Sequence, residues 1–222
     1  MKTILLFQAH PDDVAACIGG TAWMLKDQYR LHTISATKGE RGRTDWTLEH
    51  TAAVRQKEQQ EESRLLGADL TFLGRIDAEL FADAEICHTA AEMIRKTSPA
   101  AVFTLWPVDY HPDHSAISEI VRKAHRLANS DAELLFYEAE FSSQATQFNP
   151  DIYVDVSHLH DQRIQLMRCH ACQNTGGALE TALTAQAAFR GGQAGCKYAE
   201  GFKSLRPWKN TTRSVLSGLG VK

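Results

Sequence analysis

Residues 4–13 read Ile-Leu-Leu-Phe-Gln-Ala-His-Pro-Asp-Asp, a short apolar run followed at once by a polar turn. Such a continuous apolar run is typical of a strand that is buried on both faces of a parallel sheet. The turn places one imidazole and two carboxylates just beyond the carboxyl end of that strand, where open α/β sheets bind their ligands. This stretch therefore predicts both the fold class and the position of a functional site.

Outside this stretch, predicted strands and helices alternate along the chain. Further strands are predicted at residues 31–36, 70–73, 101–106, 134–137 and 152–156, and helices at residues 19–30, 49–66, 84–96, 115–128 and 158–173. We expect Gly67 to end the second helix and Ser115 to cap the fourth. The alternation predicts a Rossmann-like, doubly wound α/β fold, a mostly parallel sheet with helices on both faces. No repeat or linker-like stretch divides the chain, so we expect one domain over residues 1–222.

Composition and charge exclude several classes of protein. Of the 222 residues 43% are hydrophobic, which is typical of a globular chain with a packed core. The 24 basic and 27 acidic residues give a formal net charge of −3, so we expect no nucleic-acid partner. The first apolar run is far shorter than the roughly 20 residues that cross a bilayer, so no membrane span is expected. Five scattered cysteines favour a reducing, cytoplasmic location.

A second polar turn, His111-Pro112-Asp113-His114, follows the predicted strand at residues 101–106. A single turn of this kind is often only a helix cap with a backbone-bonded histidine. Two such turns, each after a buried strand, can converge at the same edge of the sheet. Neutral imidazole and carboxylate ligands with an open position for water are typical of catalytic zinc. The pair therefore predicts a metal site at that edge.

The chain resembles the LmbE-like, PIG-L-type zinc-dependent deacetylases over nearly its whole length. The motifs that carry the resemblance are Ala9-His10-Pro11-Asp12-Asp13, Gly19-Gly20-Thr21, Thr37-Lys38-Gly39-Glu40, Arg55-x-x-Glu58, His111-Pro112-Asp113-His114 and Tyr198-Ala199-Glu200-x-Phe202. That family removes acetyl groups from N-acetylglucosamine units of small glycoconjugates. The resemblance implies an N-acetylated sugar conjugate as substrate and Zn²⁺, or another borderline divalent ion, as cofactor. It also implies a homo-oligomer, either a trimer or a hexamer.

The resemblance assigns roles to residues of the two turns. The metal ligands that it implies are His10, Asp13 and His114. Asp12 would be the general base that accepts a proton from the attacking water, and this agrees with the chemistry of metal-assisted hydrolysis. His111 would stabilise the oxyanion or serve as an acid. Asp113 would orient and charge the imidazole of His111.

Three further residues match substrate-contacting positions of the family, and each has an alternative interpretation. Arg55 would contact the sugar or its aglycone, or would form an ordinary helix-surface pair with Glu58. Asp77, in the turn after the third strand, would contact the sugar or serve only in the structure of that turn. Tyr110 would line the mouth of the pocket, or would be an exposed loop residue.

Two other patterns are expected to be structural. Cys169-x-x-Cys172 lies in a predicted helix and has no second cysteine pair at zinc-finger spacing. The glycine-rich residues 191–195 match no phosphate-binding fingerprint, so we expect a flexible loop.

One departure from the family is visible. Val14 and Ala15 stand where relatives usually carry a Glu shortly after the Asp-Asp pair, so support from that carboxylate is missing. This leaves two alternatives to a sugar deacetylase. One is a zinc amidase or esterase with a non-sugar substrate, and the other is a non-catalytic carbohydrate-binding relative. Retention of Asp12 argues against the binder, because binding alone needs no base.

Overall fold

The computed structural model describes residues 1–139, 147–205 and 213–219. The strands are β1 (Thr3–Gln8), β2 (Arg30–Thr37), β3 (Asp69–Arg75), β4 (Ala101–Leu105), β5 (Glu133–Tyr137), β6 (Ile152–Asp155) and β7 (Ala199–Leu205). The helices are α1 (Asp13–Leu25), α2 (Leu48–Leu66), α3 (Ala84–Thr97), α4 (Pro112–Leu127), α5 (His160–Arg168) and α6 (Ala178–Ala194).

The strands form one mixed sheet in the order β3-β2-β1-β4-β5-β7-β6. Strands β1 to β5 are parallel, and β7 pairs antiparallel with both β5 and β6. Leu5 of β1 lies between His32 of β2 and Val102 of β4, and Ile4 to Phe7 are fully buried. The predicted Rossmann-like, doubly wound fold is confirmed.

Strand order decides where the site lies. The chain moves from β1 outward to β3 through α1 and α2, then returns to β4 through α3 and continues to β5 through α4. Right-handed crossovers in opposite directions place these two sets of helices on opposite faces of the sheet. Helix α1 accordingly packs against α5 and α6, and α3 packs against α4. The winding reverses between β1 and β4, and a crevice opens there at the carboxyl ends of the strands.

Two predicted helix starts are wrong. Helix α1 begins at Asp13, because Asp12 adopts a left-handed φ of 111° and turns the chain directly out of β1. The predicted start at residue 19 coincides with an interruption at Ile18, whose φ of −136° is not helical. Helix α4 begins at Pro112 with His111 as its N-cap, so Ser115 lies inside the helix. Proline suits the first helical position because the N–H that it lacks has no partner there.

The carboxyl-terminal third differs most from the prediction. Helix α6 and strand β7 were not predicted, and residues 191–194 belong to α6 instead of to a loop. Helix α5 ends at Arg168, so both cysteines of the Cys169-x-x-Cys172 pattern follow the helix. The predicted end of α2 is confirmed, since Gly67 is left-handed at φ 61° and its N–H bonds to the end of the helix. Among the described residues, no helix combines the length and apolar character that a membrane crossing requires.

Candidate active site

A cavity of about 250 Å³ lies at the carboxyl ends of β1 and β4. Seven of the nine predicted site residues line it: His10, Asp12, Asp13, Arg55, Asp77, His111 and His114. Arg41, Gly42, Ala78 and Gln173 complete the lining. The two polar turns therefore converge at the reversal point of the sheet, as the sequence predicts.

Three imidazoles meet in this cavity. The ring centroid of His10 lies 4.6 Å from that of His111 and 5.3 Å from that of His114, and one nitrogen of each ring lies within 4.8 Å of the others. The Oδ1 atom of Asp13 lies 3.5 Å from Nε2 of His114 and 4.0 Å from Nδ1 of His10. Its Oδ2 atom accepts the backbone N–H groups of Ala9 and His10, which fixes the carboxylate.

In His10 and His114, the ring nitrogen that does not face Asp13 lies beside another carboxylate. Nε2 of His10 lies 3.2 Å from Oδ1 of Asp77 and 3.2 Å from Oδ2 of Asp113. Nδ1 of His114 lies 3.1 Å from Oδ2 of Asp109, whose side chain is fully buried. Carboxylates behind imidazoles orient metal-binding histidines and raise their basicity. Donor atoms of His10, His111 and His114 therefore lie close enough together to hold a divalent metal ion, and Asp13 lies beside them.

Sequence analysis did not single out Asp109. The signal for it is a carboxylate in the turn between β4 and the His111-Pro112-Asp113-His114 motif. Its Oδ1 also accepts the backbone N–H of His111, at 2.7 Å. One carboxylate therefore shapes the turn and supports His114.

Electrostatics of the cluster favour a bound cation. Burial acts to lower the pKa of His10, but Asp113 and Asp77 outweigh it and raise the pKa to about 9. Burial is likewise overcome at His114, where Asp13 and Asp109 hold the pKa well above its ordinary value. Both shifts show that the surrounding carboxylates favour positive charge at this position. A divalent ion supplies the same charge in the same place.

His111 differs from the other two imidazoles. Burial, together with the positive charges of His10 and His114, lowers its pKa, which favours the uncharged ring. Its Nδ1 accepts the backbone N–H of Asp113 at 3.2 Å. In a neutral ring the proton must then lie on Nε2, which makes Nε2–H a hydrogen-bond donor.

The expected contact between the Asp113 carboxylate and the ring of His111 is not found. That carboxylate instead contacts His10 and accepts the backbone N–H groups of Ala78, at 2.7 Å, and Leu80, at 3.4 Å. Only the backbone of Asp113 reaches His111. Asp113 therefore orients His10, and it fastens the loop after β3 to the site.

Asp12 is held by Arg55. Nη2 of Arg55 lies 2.9 Å from Oδ2 of Asp12 and also donates to the carbonyl of Pro11, while Nη1 donates to the carbonyl of Gly39 at 3.2 Å. Gly39 is left-handed at φ 65°, and a Cβ there would collide with the guanidinium. Burial raises the pKa of Asp12 although Arg55 opposes the shift, which leaves a carboxylate suited to accept a proton.

The alternative of an Arg55–Glu58 surface pair is wrong. The side chain of Arg55 is 4% exposed, and Glu58 instead accepts hydrogen bonds from the N–H and Sγ of Cys172. Tyr110 does not line the cavity, and 88% of its surface is exposed. Gln173 also lines the cavity, although no sequence motif pointed to it, and its Nε2 donates to the carbonyl of Gly42.

Val14 and Ala15 are fully buried in the core and do not line the cavity. The backbone N–H of Val14 donates to Oε1 of Gln8. A Glu at either position would place a carboxylate among buried apolar side chains, where an unpaired charge is costly. The missing Glu therefore leaves the cavity lining itself unchanged.

Fold and site together define a Rossmann-like protein with a His/Asp cluster that could bind a metal ion beside a buried carboxylate. The profile of the PIG-L family, described as GlcNAc-PI de-N-acetylase, matches residues 5–125, and the chain belongs to this family. The deacetylases of this family are metal-dependent hydrolases that act on amide bonds.

Three known proteins illustrate the relationship. Diacetylchitobiose deacetylase of Thermococcus kodakarensis is 28% identical over 91% of this chain and 83% of its own length. A probable N-acetyl-alpha-D-glucosaminyl L-malate deacetylase 2 of Bacillus anthracis is 26% identical over 78% of this chain and 81% of its own length. The crystal structure of 4-carboxy-2-hydroxymuconate hydratase from Pseudomonas putida covers 96% of this chain and 100% of its own, with a TM-score of 0.83. At 23% identity that likeness shows the fold alone.

Proposed function

We propose that this protein removes the N-acetyl group from an N-acetylglucosamine-containing small glycoconjugate, with Zn²⁺ as the bound ion. The position of the Asp12 carboxylate is the strongest support for this function. The carboxylate lines the cavity beside the His/Asp cluster, is fixed by Arg55 and has a raised pKa. A general base at this position is what amide hydrolysis requires. The names of the two deacetylase relatives support the choice of substrate.

We propose His10, Asp13 and His114 as the metal ligands. Each has an inward-facing donor atom, and each is fixed from behind by a carboxylate or by backbone N–H groups. His111 is assigned to the substrate, since a backbone N–H already occupies its Nδ1. When bound, a divalent ion polarises the amide carbonyl and lowers the pKa of a water ligand toward about 7.

The remaining steps belong to side chains of this protein. Asp12 accepts a proton from the attacking water and returns it to the amide nitrogen, so that the C–N bond breaks with release of acetic acid and a neutral amine. The Nε2–H of His111 donates to the carbonyl oxygen as negative charge develops there. Arg55 keeps the Asp12 carboxylate in place during both proton transfers. Asp77 and Gln173, in the lining, are proposed to contact the sugar.

A substrate panel tests this proposal. It contains a methyl N-acetylglucosaminide, diacetylchitobiose, N-acetylglucosaminyl malate, free N-acetylglucosamine, simple esters and 4-carboxy-2-hydroxymuconate, the substrate named for the hydratase of similar fold. We expect acetate and primary amine in equal amounts from the conjugates, loss of both on chelation and recovery with Zn²⁺. The free sugar should react poorly, because contacts to the aglycone supply binding energy that is used at the reacting centre.

Three results would overturn the proposal. Turnover of esters without amine release from any acetylated sugar would indicate a different hydrolase. Hydration of 4-carboxy-2-hydroxymuconate alone would show that the protein is a hydratase like the one whose fold it shares. No turnover of any panel compound by the metal-loaded protein would indicate a non-catalytic carbohydrate-binding protein.

A further inference from the structure

Helix α2 contacts two separate parts of the catalytic cavity. Arg55, in its first half, holds the proposed general base. One and two turns further along, Glu58 and Glu62 contact residues 169–174, which follow α5 and supply Gln173 to the lining. Residues that are three or four positions apart share one face of a helix. A single helix face therefore reaches both the base and Gln173.

The contact at Glu62 is a fully buried polar pair. Its Oε2 lies 2.7 Å from Nε2 of His170, and neither side chain has any exposed surface. Within the described part of the chain, Oε1 of Glu62 and Nδ1 of His170 have no hydrogen-bond partner. Two apolar side chains that fill the same space often give equal or greater stability than such a pair. The polar pair differs from them in direction, because a hydrogen bond fixes the ring in one position.

The backbone connects the ring of His170 to Gln173. The carbonyl of His170 accepts the N–H groups of Gln173, at 3.1 Å, and of Asn174, at 3.0 Å. Between these residues Cys172 is held by Glu58, whose Oε1 accepts the N–H at 2.8 Å and whose Oε2 lies 2.9 Å from the Sγ atom. The turn that carries Gln173 is therefore fixed to α2 at two points.

The side-chain amide of Gln173 is held in one orientation. Its Nε2 donates to the carbonyl of Gly42 at 3.2 Å and to Sγ of Cys172 at 3.4 Å, which uses both of its hydrogens. None of the described residues donates a hydrogen bond to Oε1. A ligand in the cavity therefore meets an acceptor at Gln173, and the hydroxyl and N–H groups of an N-acetylated sugar are matching donors.

We propose that Glu62 and His170 are positioning residues, which hold Oε1 of Gln173 where it accepts a hydrogen bond from the sugar. This proposal rests on the proposed deacetylase function and adds the residues that place its sugar contact. Glu58 and Cys172 hold the same turn. Because Glu62 and His170 do not line the cavity, their loss affects sugar binding and leaves kcat and metal content unchanged.

The test replaces the pair by two leucines, Glu62→Leu with His170→Leu. Apolar residues of similar volume often maintain or raise stability at a buried polar pair, so this variant should fold. We expect KM for the fastest panel glycoside to rise about fivefold, the usual effect of one lost hydrogen bond, with kcat and metal content within about twofold of wild type. Calorimetric titration with methyl glucosaminide, the deacetylated product, should show the same rise in Kd without turnover.

A double-mutant cycle shows whether the pair acts through Gln173. Gln173→Ala alone should raise KM and Kd about fivefold. Added to the leucine pair it should raise them no further, whereas two independent effects would multiply to about 25-fold. Glu62→Gln keeps an oxygen that accepts the ring N–H, so KM should stay near the wild-type value. His125→Leu replaces another buried histidine, outside the cavity lining, and should leave KM and Kd unchanged.

The outcomes separate this proposal from the function on which it rests. Wild-type KM and Kd in the leucine pair, multiplied losses in the triple variant, or an equal loss in His125→Leu would overturn the positioning role. A loss in Glu62→Gln as large as in the leucine pair would show an effect of charge, and an unfolded leucine pair would show a purely structural role, and either result also overturns it. Methyl glucosaminide binding without turnover of any panel compound would overturn the deacetylase function, and the Kd values would then decide the positioning role. Neither binding nor turnover would overturn both.

Discussion

Asp12→Asn is expected to lower kcat by a factor on the order of 10² to 10⁴, the usual contribution of a positioned proton acceptor. Asparagine keeps the shape of the side chain and can still accept a hydrogen bond from Arg55, but it cannot take a proton from water. Because Asp12 is not among the proposed ligands, metal content should stay at the wild-type level. Steady-state rates and metal analysis of the same preparation measure both effects.

Asp83→Asn is the matched control for this change. Asp83 caps α3 by accepting the backbone N–H of Ile86, and asparagine caps a helix equally well. It lies outside the lining of the catalytic cavity, so kcat should be unchanged. Turnover within threefold of wild type in Asp12→Asn would show that Asp12 is not the base, and His111 would have to be tested in that role.

His114→Ala is expected to remove most of the bound metal and, with it, the activity. The change deletes one of three proposed ligands and leaves the carboxylates of Asp13 and Asp109 facing each other without the imidazole between them. The variant should also be less stable, because a buried charge that loses its partner lowers the free energy of unfolding by about 3–5 kcal/mol. Metal content of the purified protein, measured together with its thermal unfolding, separates the two effects.

His125→Ala gives the control on the same helix. His125 is also buried, and its Nε2 contacts the carbonyl of Ala132 far from the site. Its replacement perturbs α4 without touching the cluster, so metal content should stay at the wild-type level. Full metal occupancy in His114→Ala, or loss of metal in His125→Ala, would contradict the ligand assignment.

The site was predictable because its residues follow the two strands that are easiest to identify. The apolar runs of β1 and β4 are buried on both faces, and each leads directly into a turn that contains histidine and aspartate. In a doubly wound sheet these turns must meet at the reversal point. Convergence of His10, Asp13 and His114 therefore follows from sequence order and general topology.

Partners within the site were not predictable, because they depend on side-chain geometry. The family resemblance implied a pair between Asp113 and His111, but the turn at the start of α4 directs that carboxylate to His10. Arg55 was expected either to contact the sugar or to form a surface pair with Glu58, yet it is buried against Asp12. Neither contact can be predicted from the periodic spacing of apolar residues, which reveals helices and strands but not side-chain partners.

Helix α6 and strand β7 were missed for a related reason. Small and polar residues dominate α6, so apolar periodicity is weak. Strand β7 contains Glu200, which is buried in an ion pair with Arg163 and accepts the N–H groups of Gly20 and Thr21 from α1. A buried charge of this kind breaks the apolar pattern by which strands are recognised.

Hydrolysis of an acetamide by water, with Asp12 as base beside the metal cluster, is the central claim. It is tested most directly by mass analysis of the products formed in water enriched in the heavy oxygen isotope, from whichever panel glycoside reacts fastest. We predict that the released acetate carries one heavy oxygen, that the deacetylated glycoside carries none, and that release of labelled acetate slows by a factor on the order of 10² to 10⁴ in Asp12→Asn. Unlabelled acetate, or an intact N-acetyl group in every product, would contradict it.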